Sequence, residues 1–81
     1  MNPPRYPPEE MRRQIQGTAV LIISIDASGN VLDIEVERSS GNRNLDRAAM
    51  QAARKWRFNP EIKNGQKVAS RVRVPVEFKL N

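Results

Sequence analysis

The 81-residue chain contains no histidine and no cysteine. It therefore lacks the side chain that most often moves protons near neutral pH, the thiol nucleophile, and the ligands of nearly all zinc geometries. Its acidic residues offer one constellation. Asp33, Glu35 and Glu37 recur at every second position, so on a strand they share one face. Three carboxylates in a row could hold a hard cation weakly, but the same alternation belongs to a solvated strand face, and that reading is preferred. Ser39 and Ser40 have no imidazole to activate them and are read as loop. Gly29, Gly41 and Gly65 fall in separate turns, so no phosphate-cradling loop is formed. The expectation is a protein that is not an enzyme and uses no cofactor or metal.

The basic residues offer a second constellation. Arg43, Arg47, Arg54, Lys55 and Arg57 line the polar side of a helical segment and its exit. Nucleic-acid recognition would combine such a stripe with exposed rings for stacking. The chain has four aromatic residues. Trp56 and Phe58 fit a core, Phe78 lies on an apolar strand face, and Tyr6 alone is expected at the surface. No nucleic-acid partner is expected. The net charge of +5 is uneven. Residues 1–42 hold four basic and six acidic side chains, and residues 43–81 hold ten and three. The second half thus carries a field that attracts acidic partners.

Positioning these residues requires a small fold. A domain of this length buries only about 60–65% of the surface its unfolded chain exposes. Composition is that of an ordinary folded domain, 38% hydrophobic and 28% charged. No run of about 18 apolar residues offers a membrane span, and the absence of cysteine leaves the redox compartment open. Four prolines among the first eight residues make residues 1–7 an extended lead-in, followed by a domain at 8–81. A helix is expected at about 8–15, with Met11 and Ile15 inward and Gly17 as its stop. Thr18 to Asp26 alternates as a strand, with Ala19, Leu21, Ile23 and Ile25 on one face. The turn ending Gly29-Asn30 leads to a second strand, Val31 to Arg38, in which Leu32, Ile34 and Val36 point inward. Asn44 is placed to cap the next helix. There Leu45, Ala48, Ala49, Ala52, Ala53 and Trp56 form an apolar stripe, ended by Asn59-Pro60. Asn64-Gly65 marks a further turn. Val68 to Leu80 is the last strand, with Val72, Val74, Val76 and Phe78 inward. The expected core is Leu21, Ile23, Ile25, Ile34, Val36, Leu45, Ala49, Ala52, Trp56, Phe58 and Phe78.

The order helix-strand-strand-helix-strand defines an α+β fold. A helix between the second and third strands requires a crossover. The simplest sheet then has the order second-first-third, with both helices on one face and the last strand at an open edge. Pro75 supports that placement, because proline cannot donate to a ladder and suits an edge with its missing N–H outward. Alternation then turns the backbone groups of Arg71, Arg73, Pro75 and Glu77 outward and those of Val72, Val74 and Val76 inward. Such an edge either is merely blunted by charge and proline or accepts a partner peptide as an added strand. Val20 and Ile22, apolar on the outer face, are either covered by neighbouring arginine and glutamate side chains or form a self-association surface.

These residues also match a known pattern. Tyr6-Pro7, Gly17 opening an alternating strand, Gly29 followed by Val31, and Ser39-Ser40-Gly41 recur in order. Leu45-Asp46-Arg47-Ala48-Ala49 and Trp56-Arg57-Phe58-Asn59-Pro60 are the most specific. Asn64-Gly65 and Pro75-Val76-Glu77-Phe78-Lys79-Leu80 complete the series. From Tyr6 to Leu80 the chain resembles the C-terminal periplasmic domain of TonB, the energy transducer of Gram-negative envelopes. The resemblance implies a periplasmic domain at the end of a longer chain with an inner-membrane anchor and a proline-rich linker. It implies binding of the TonB box, an extended segment of outer-membrane transporters, along the last strand: Arg71, Val72, Arg73, Val74, Pro75, Val76 and Glu77. Arg5 and Tyr6 would approach the same peptide. It implies force from the ExbB–ExbD motor, serving uptake of iron chelates, cobalamin or haem. Where some members carry glutamines before the Tyr-Pro pair, this chain has Pro3, Pro4 and Arg5. The alternative reading is a self-associating structural domain of an envelope protein, with a weak homodimer through the edge or through Val20 and Ile22; a basic nucleic-acid-binding module is the less favoured third.

Overall fold

The computed structural model describes residues 3–81; the first two positions of the lead-in lie outside the described residues. The elements run α1 (Pro8–Arg12), β1 (Gly17–Ile25), β2 (Val31–Arg38), α2 (Arg43–Ala53), β3 (Glu61–Lys63), β4 (Gln66–Val68) and β5 (Ser70–Phe78). The main sheet has the order β2-β1-β5, antiparallel throughout. This is the expected α+β architecture. Two additional short strands, β3 and β4, pair only with each other, about the Asn64-Gly65 turn. Asn64 and Gly65 take φ of 51° and 78°, the positive pair that a tight hairpin turn needs.

β1 forms the middle of the core because its odd residues are all apolar. Ala19, Leu21 and Ile23 are fully buried and Ile25 nearly so. They face Val76, Val74, Val72 and Ser70 of β5 across a regular ladder. Leu45, Ala48, Ala49 and Ala53 of α2 close this face, with Trp56 and Phe78. The alanines keep α2 close to the sheet. Ile34, Val36, Ala52 and Phe58 pack at the margin, partly buried. Every expected core residue thus lies in or against one cluster.

Four local expectations are corrected. α1 stops at Arg12, not near residue 15, because Gln14 takes a left-handed φ of 57° and turns the chain before Gly17. Met11 is consequently exposed, and Glu10 is the buried residue of that turn. Asn42, not Asn44, caps α2: its Oδ1 accepts from the Leu45 N–H at 2.9 Å. Asn44 instead donates to Glu10. Leu32 is 64% exposed. The pairing moves from Ser24↔Asp33 to Ile25↔Val31, so Leu32 is an extra residue in β2 and Val31 takes the inward place. Tyr6, expected at the surface, is half-buried.

Gly29 is the tightest backbone position. Its φ is 87°, and a Cβ there would lie 1.8 Å from the Phe58 carbonyl oxygen. The Phe58 N–H donates to the Gly29 carbonyl at 2.9 Å, and Asn30 bridges Arg57. The β1–β2 turn is thereby tied to the segment leaving α2. Asp26 shapes that turn, its Oδ1 accepting from the N–H groups of Ser28 and Asn30, each at 2.9 Å. Those bonds, the Asn30 N–H foremost, hold its carboxyl below the usual range.

Candidate functional site

Nine consecutive β5 residues pair with β1, from Ile25↔Ser70 to Gly17↔Phe78, without a register shift. No other described strand pairs with β5. The side of its ladder that faces outward follows from alternation. The Asp26 N–H donates to the Asn30 carbonyl at 2.9 Å, on the β2 side of β1. Even-numbered residues of β1 therefore direct their backbone groups to β2 and odd-numbered ones to β5. Because Leu21 pairs with Val74 and Ile23 with Val72, the even residues of β5 bond to β1. Arg71, Arg73, Pro75 and Glu77 turn theirs to the open side. Pro75, opposite Val20, sits where a missing N–H removes no bond within the sheet.

The side chains of this strand divide by face. Val76 and Phe78 are buried, Val72 and Val74 half-buried, and Arg71, Arg73, Pro75 and Glu77 exposed. Arg73 Nε donates to Glu37 Oε1 at 2.7 Å, and Arg71 Nη2 lies 3.7 Å from Glu35 Oε2. Both pairs cross from β5 to β2 over β1, on the face away from α2. Ile22 lines the same shallow hollow as these four side chains, and Val20 is 7% exposed. Ile22 is half-buried among these arginine and glutamate side chains and Val20 is buried, which favours the first of the two readings given above. Arg71 and Arg73 already have anionic partners, so the outward backbone groups and the exposed Glu77 carboxylate are the polar features this edge leaves unengaged.

The lead-in reaches β5 through Tyr6 but not through Arg5. The Tyr6 ring packs edge-on against Phe78, with centroids 5.4 Å apart at 87°, and its hydroxyl donates to the Ile15 carbonyl. Arg5 is exposed and lines hollows shared with Ala48 and Gln51 of α2; no β5 residue lines them. The structure brings Tyr6 to the C-terminal end of β5 and leaves Arg5 over the helix. Leu80 is fastened nearby, its N–H donating to Gln16 Oε1 at 2.7 Å.

The sequence pattern of the family described as Gram-negative bacterial TonB protein C-terminal matches residues 2–80. A TonB protein of Xanthomonas campestris is 62% identical over 81 residues, all of this chain and 36% of that protein. A TonB protein of Vibrio cholerae is 42% identical over 77 residues, which are 95% of this chain and 32% of that protein. The solution structure of the Pseudomonas aeruginosa TonB C-terminal domain superposes with a TM-score of 0.82 at 36% identity, covering 99% of this chain and 81% of that one. This chain belongs to the TonB C-terminal domain family. It spans about a third of the curated TonB proteins it matches.

Two of the family's signposts turn out to be one structural unit. Asp46 of Leu45-Asp46-Arg47 accepts from the Ser39 hydroxyl, from the Ser40 N–H at 2.8 Å and from the Ser40 hydroxyl at 2.7 Å. Partial burial works to raise its carboxyl pKa, yet the bonds from Ser39 and Ser40 outweigh it and hold the group below the usual range. The serines are not idle loop but a fastening between β2 and α2. Gly17 belongs to the same corner, since a Cβ there would meet the Ser40 carbonyl oxygen at 2.6 Å.

Glu10 is the second fastening, and composition gave no sign of it. Its side chain is buried, and one oxygen accepts from Asn44 Nδ2 at 2.8 Å and from Asn42 Nδ2 at 3.4 Å. The Asn44 amide leads the bonds that, with the Arg13 charge, hold its pKa low against burial. Short as it is, α1 is thus locked to the start of α2. A buried acid at residue 10 and two asparagines more than 30 positions away carry no local pattern, so only the fold joins them.

Proposed function

We propose that this domain is the periplasmic, partner-capturing end of an energy transducer. In this reading an extended segment of an outer-membrane transporter, the TonB box, adds as a strand along the open edge of β5. Its backbone meets the outward groups of Arg71, Arg73 and Glu77, with Val72, Val74 and Val76 holding the strand to β1 from the other side. One observation carries the reading: β5 keeps an unbroken nine-residue register with β1 on one side and no described strand on the other. A straight, rigid template of that length is what β-augmentation requires. Family membership supports the same conclusion.

Pro75 leaves one acceptor of the incoming strand without a donor. That gap keeps the contact reversible and limits edge-to-edge aggregation. Tyr6 anchors the lead-in beside the end of β5, so the chain from the inner-membrane anchor, driven by ExbB–ExbD, joins the domain near the captured peptide. Load then passes through β1 and β5, the most extensively paired strands, in the service of uptake of iron chelates, cobalamin or haem. Arg5, over α2, contributes to a longer partner segment rather than to the edge itself. The test is titration of the labelled domain with a TonB-box peptide. Amide shifts concentrated along residues 71–78 are expected; shifts concentrated on α2 would sink the edge assignment.

A further inference from the structure

The outward face of α2 carries a feature that the strand edge does not use. Arg43, Arg47, Met50 and Arg54 stand at i, i+4, i+7 and i+11. At about 100° per residue they fall within about 60° of one line, opposite Leu45, Ala49 and Ala52 on the core side. The line runs about 16 Å along the helix. Its three arginines are exposed, and Met50, half-buried, packs against the margin of the core while still lining the hollow between them. They rim a hollow of about 420 Å³, with Asp46 and Gln51 at its sides.

The line carries an excess of positive charge, three arginines against the one carboxylate of Asp46. The ion pairs of the described residues are Arg12–Glu9, Arg71–Glu35 and Arg73–Glu37, and none involves α2. Asp46, the carboxylate in the hollow, is committed to Ser39 and Ser40. Arg43 is also misplaced for stability. It is the first helical residue after the Asn42 cap, at the positive end of the helix dipole, where a cation is disfavoured. Arg47 stands one turn on, so the two repel. Arginine is a good helix former and the dipole favours Arg54 at the C-terminal end, so Arg43, one turn before Arg47, is the cation that helix formation does not account for; an anion bound there would relieve it.

The shape of the line selects among anionic partners. A bilayer contact needs a broad face with several apolar side chains, and here only Met50 is apolar. Single-stranded nucleic acid needs exposed rings. The rings of Tyr6 and Phe78, and of Trp56 and Phe58, are packed on each other. What fits is a helix with the same repeat, carrying carboxylates around one apolar side chain. We propose that the Arg43–Arg47–Met50–Arg54 line is a second docking surface, and that its partner is an acidic amphipathic helix of another polypeptide.

The probe is a lactam-stapled helical peptide with three glutamates and one leucine spaced i, i+4, i+7, i+11. It is compared with the same composition in scrambled spacing, with anionic phospholipid vesicles and with a single-stranded oligonucleotide. The patterned peptide is expected to shift amides within Arg43–Arg54. Arg47→Glu should weaken it about tenfold, whereas Lys67→Glu, the same change in net charge, should not. Arg43→Ala should weaken binding while raising the thermal midpoint, an opposition that a structural role would not produce. Equal binding by the scrambled peptide, shifts from vesicles or oligonucleotide without the patterned peptide, or equal losses from Arg47→Glu and Lys67→Glu would each overturn the proposal.

Discussion

β2 and β5 are both edges of one three-stranded sheet, yet they are built differently. β5 pairs with β1 through nine consecutive residues without interruption. β2 pairs with the same central strand but shifts register twice, once at each end. Leu32 and Glu37 are the extra residues, and each locally bends and twists the strand. Acidic side chains at Asp33, Glu35 and Glu37 line β2, and two of them reach across the sheet to Arg71 and Arg73. An edge that is bulged and acidic is a poor template for a second strand. An edge that is regular and interrupted only by a proline on its open side is a good one. The central strand is common to both, so the difference lies in how each edge strand is made.

Proline scanning breaks this comparison most sharply. Val74→Pro removes a donor that pairs with Leu21 and should destabilise the fold by about 3 kcal/mol or more, read by denaturant unfolding. Arg73→Pro removes a donor that faces outward. It should leave stability within about 1 kcal/mol and weaken a TonB-box peptide more than tenfold. Equal stability losses at the two positions would refute the assignment of odd residues to the open side.

Truncation on β2 has a smaller expected effect. Ile34 packs against the core, so Ile34→Ala should cost about 2 kcal/mol or more. Leu32 is a solvated bulge residue, and Leu32→Ala should stay within about 0.5 kcal/mol. If the two cost the same, β2 runs in the continuous register that its sequence alternation alone suggests, and the contrast between the edges disappears.

The smallest effect concerns the fastening at the end of β2. The folded carboxyl of Asp46 is held below the usual value of 3.8. Its contribution is therefore present above that value and is lost as pH falls through the lower folded value. Asp46→Asn should flatten the acid limb of stability below about pH 4, leaving the parts due to Asp26 and Glu10. An acid limb identical to that of the wild-type chain would contradict this.

Much of the main sheet was legible because it rests on simple periodicities. The odd residues of β1, the Leu45–Ala49–Ala52 stripe of α2 and the parity of β5 about Pro75 all follow from spacing alone. What escaped was set by contacts between distant segments. Nothing near Leu32 announces a bulge, which arises from matching β2 to the turn held by Gly29 and Phe58. Asn42 and Asn44 are both good caps, and the choice falls to Asn42 because the helix already begins at Arg43, with Asn42 extended before it. β3 and β4 have almost no apolar alternation, so only their turn was visible. Tyr6 looked exposed because its partners, Phe78 and Ile15, lie at opposite ends of the chain order.

Hydrogen exchange of the β5 amides, free and with a TonB-box peptide, tests the open edge most directly. In the free domain the N–H groups of Val72, Val74 and Val76 should be protected and those of Arg71, Arg73 and Glu77 should exchange quickly. With peptide, Arg71, Arg73 and Glu77 should gain protection while the amides of β2 stay unchanged. Protection gained along Val31–Arg38 instead, or no change in the odd-numbered amides of β5, would contradict the account.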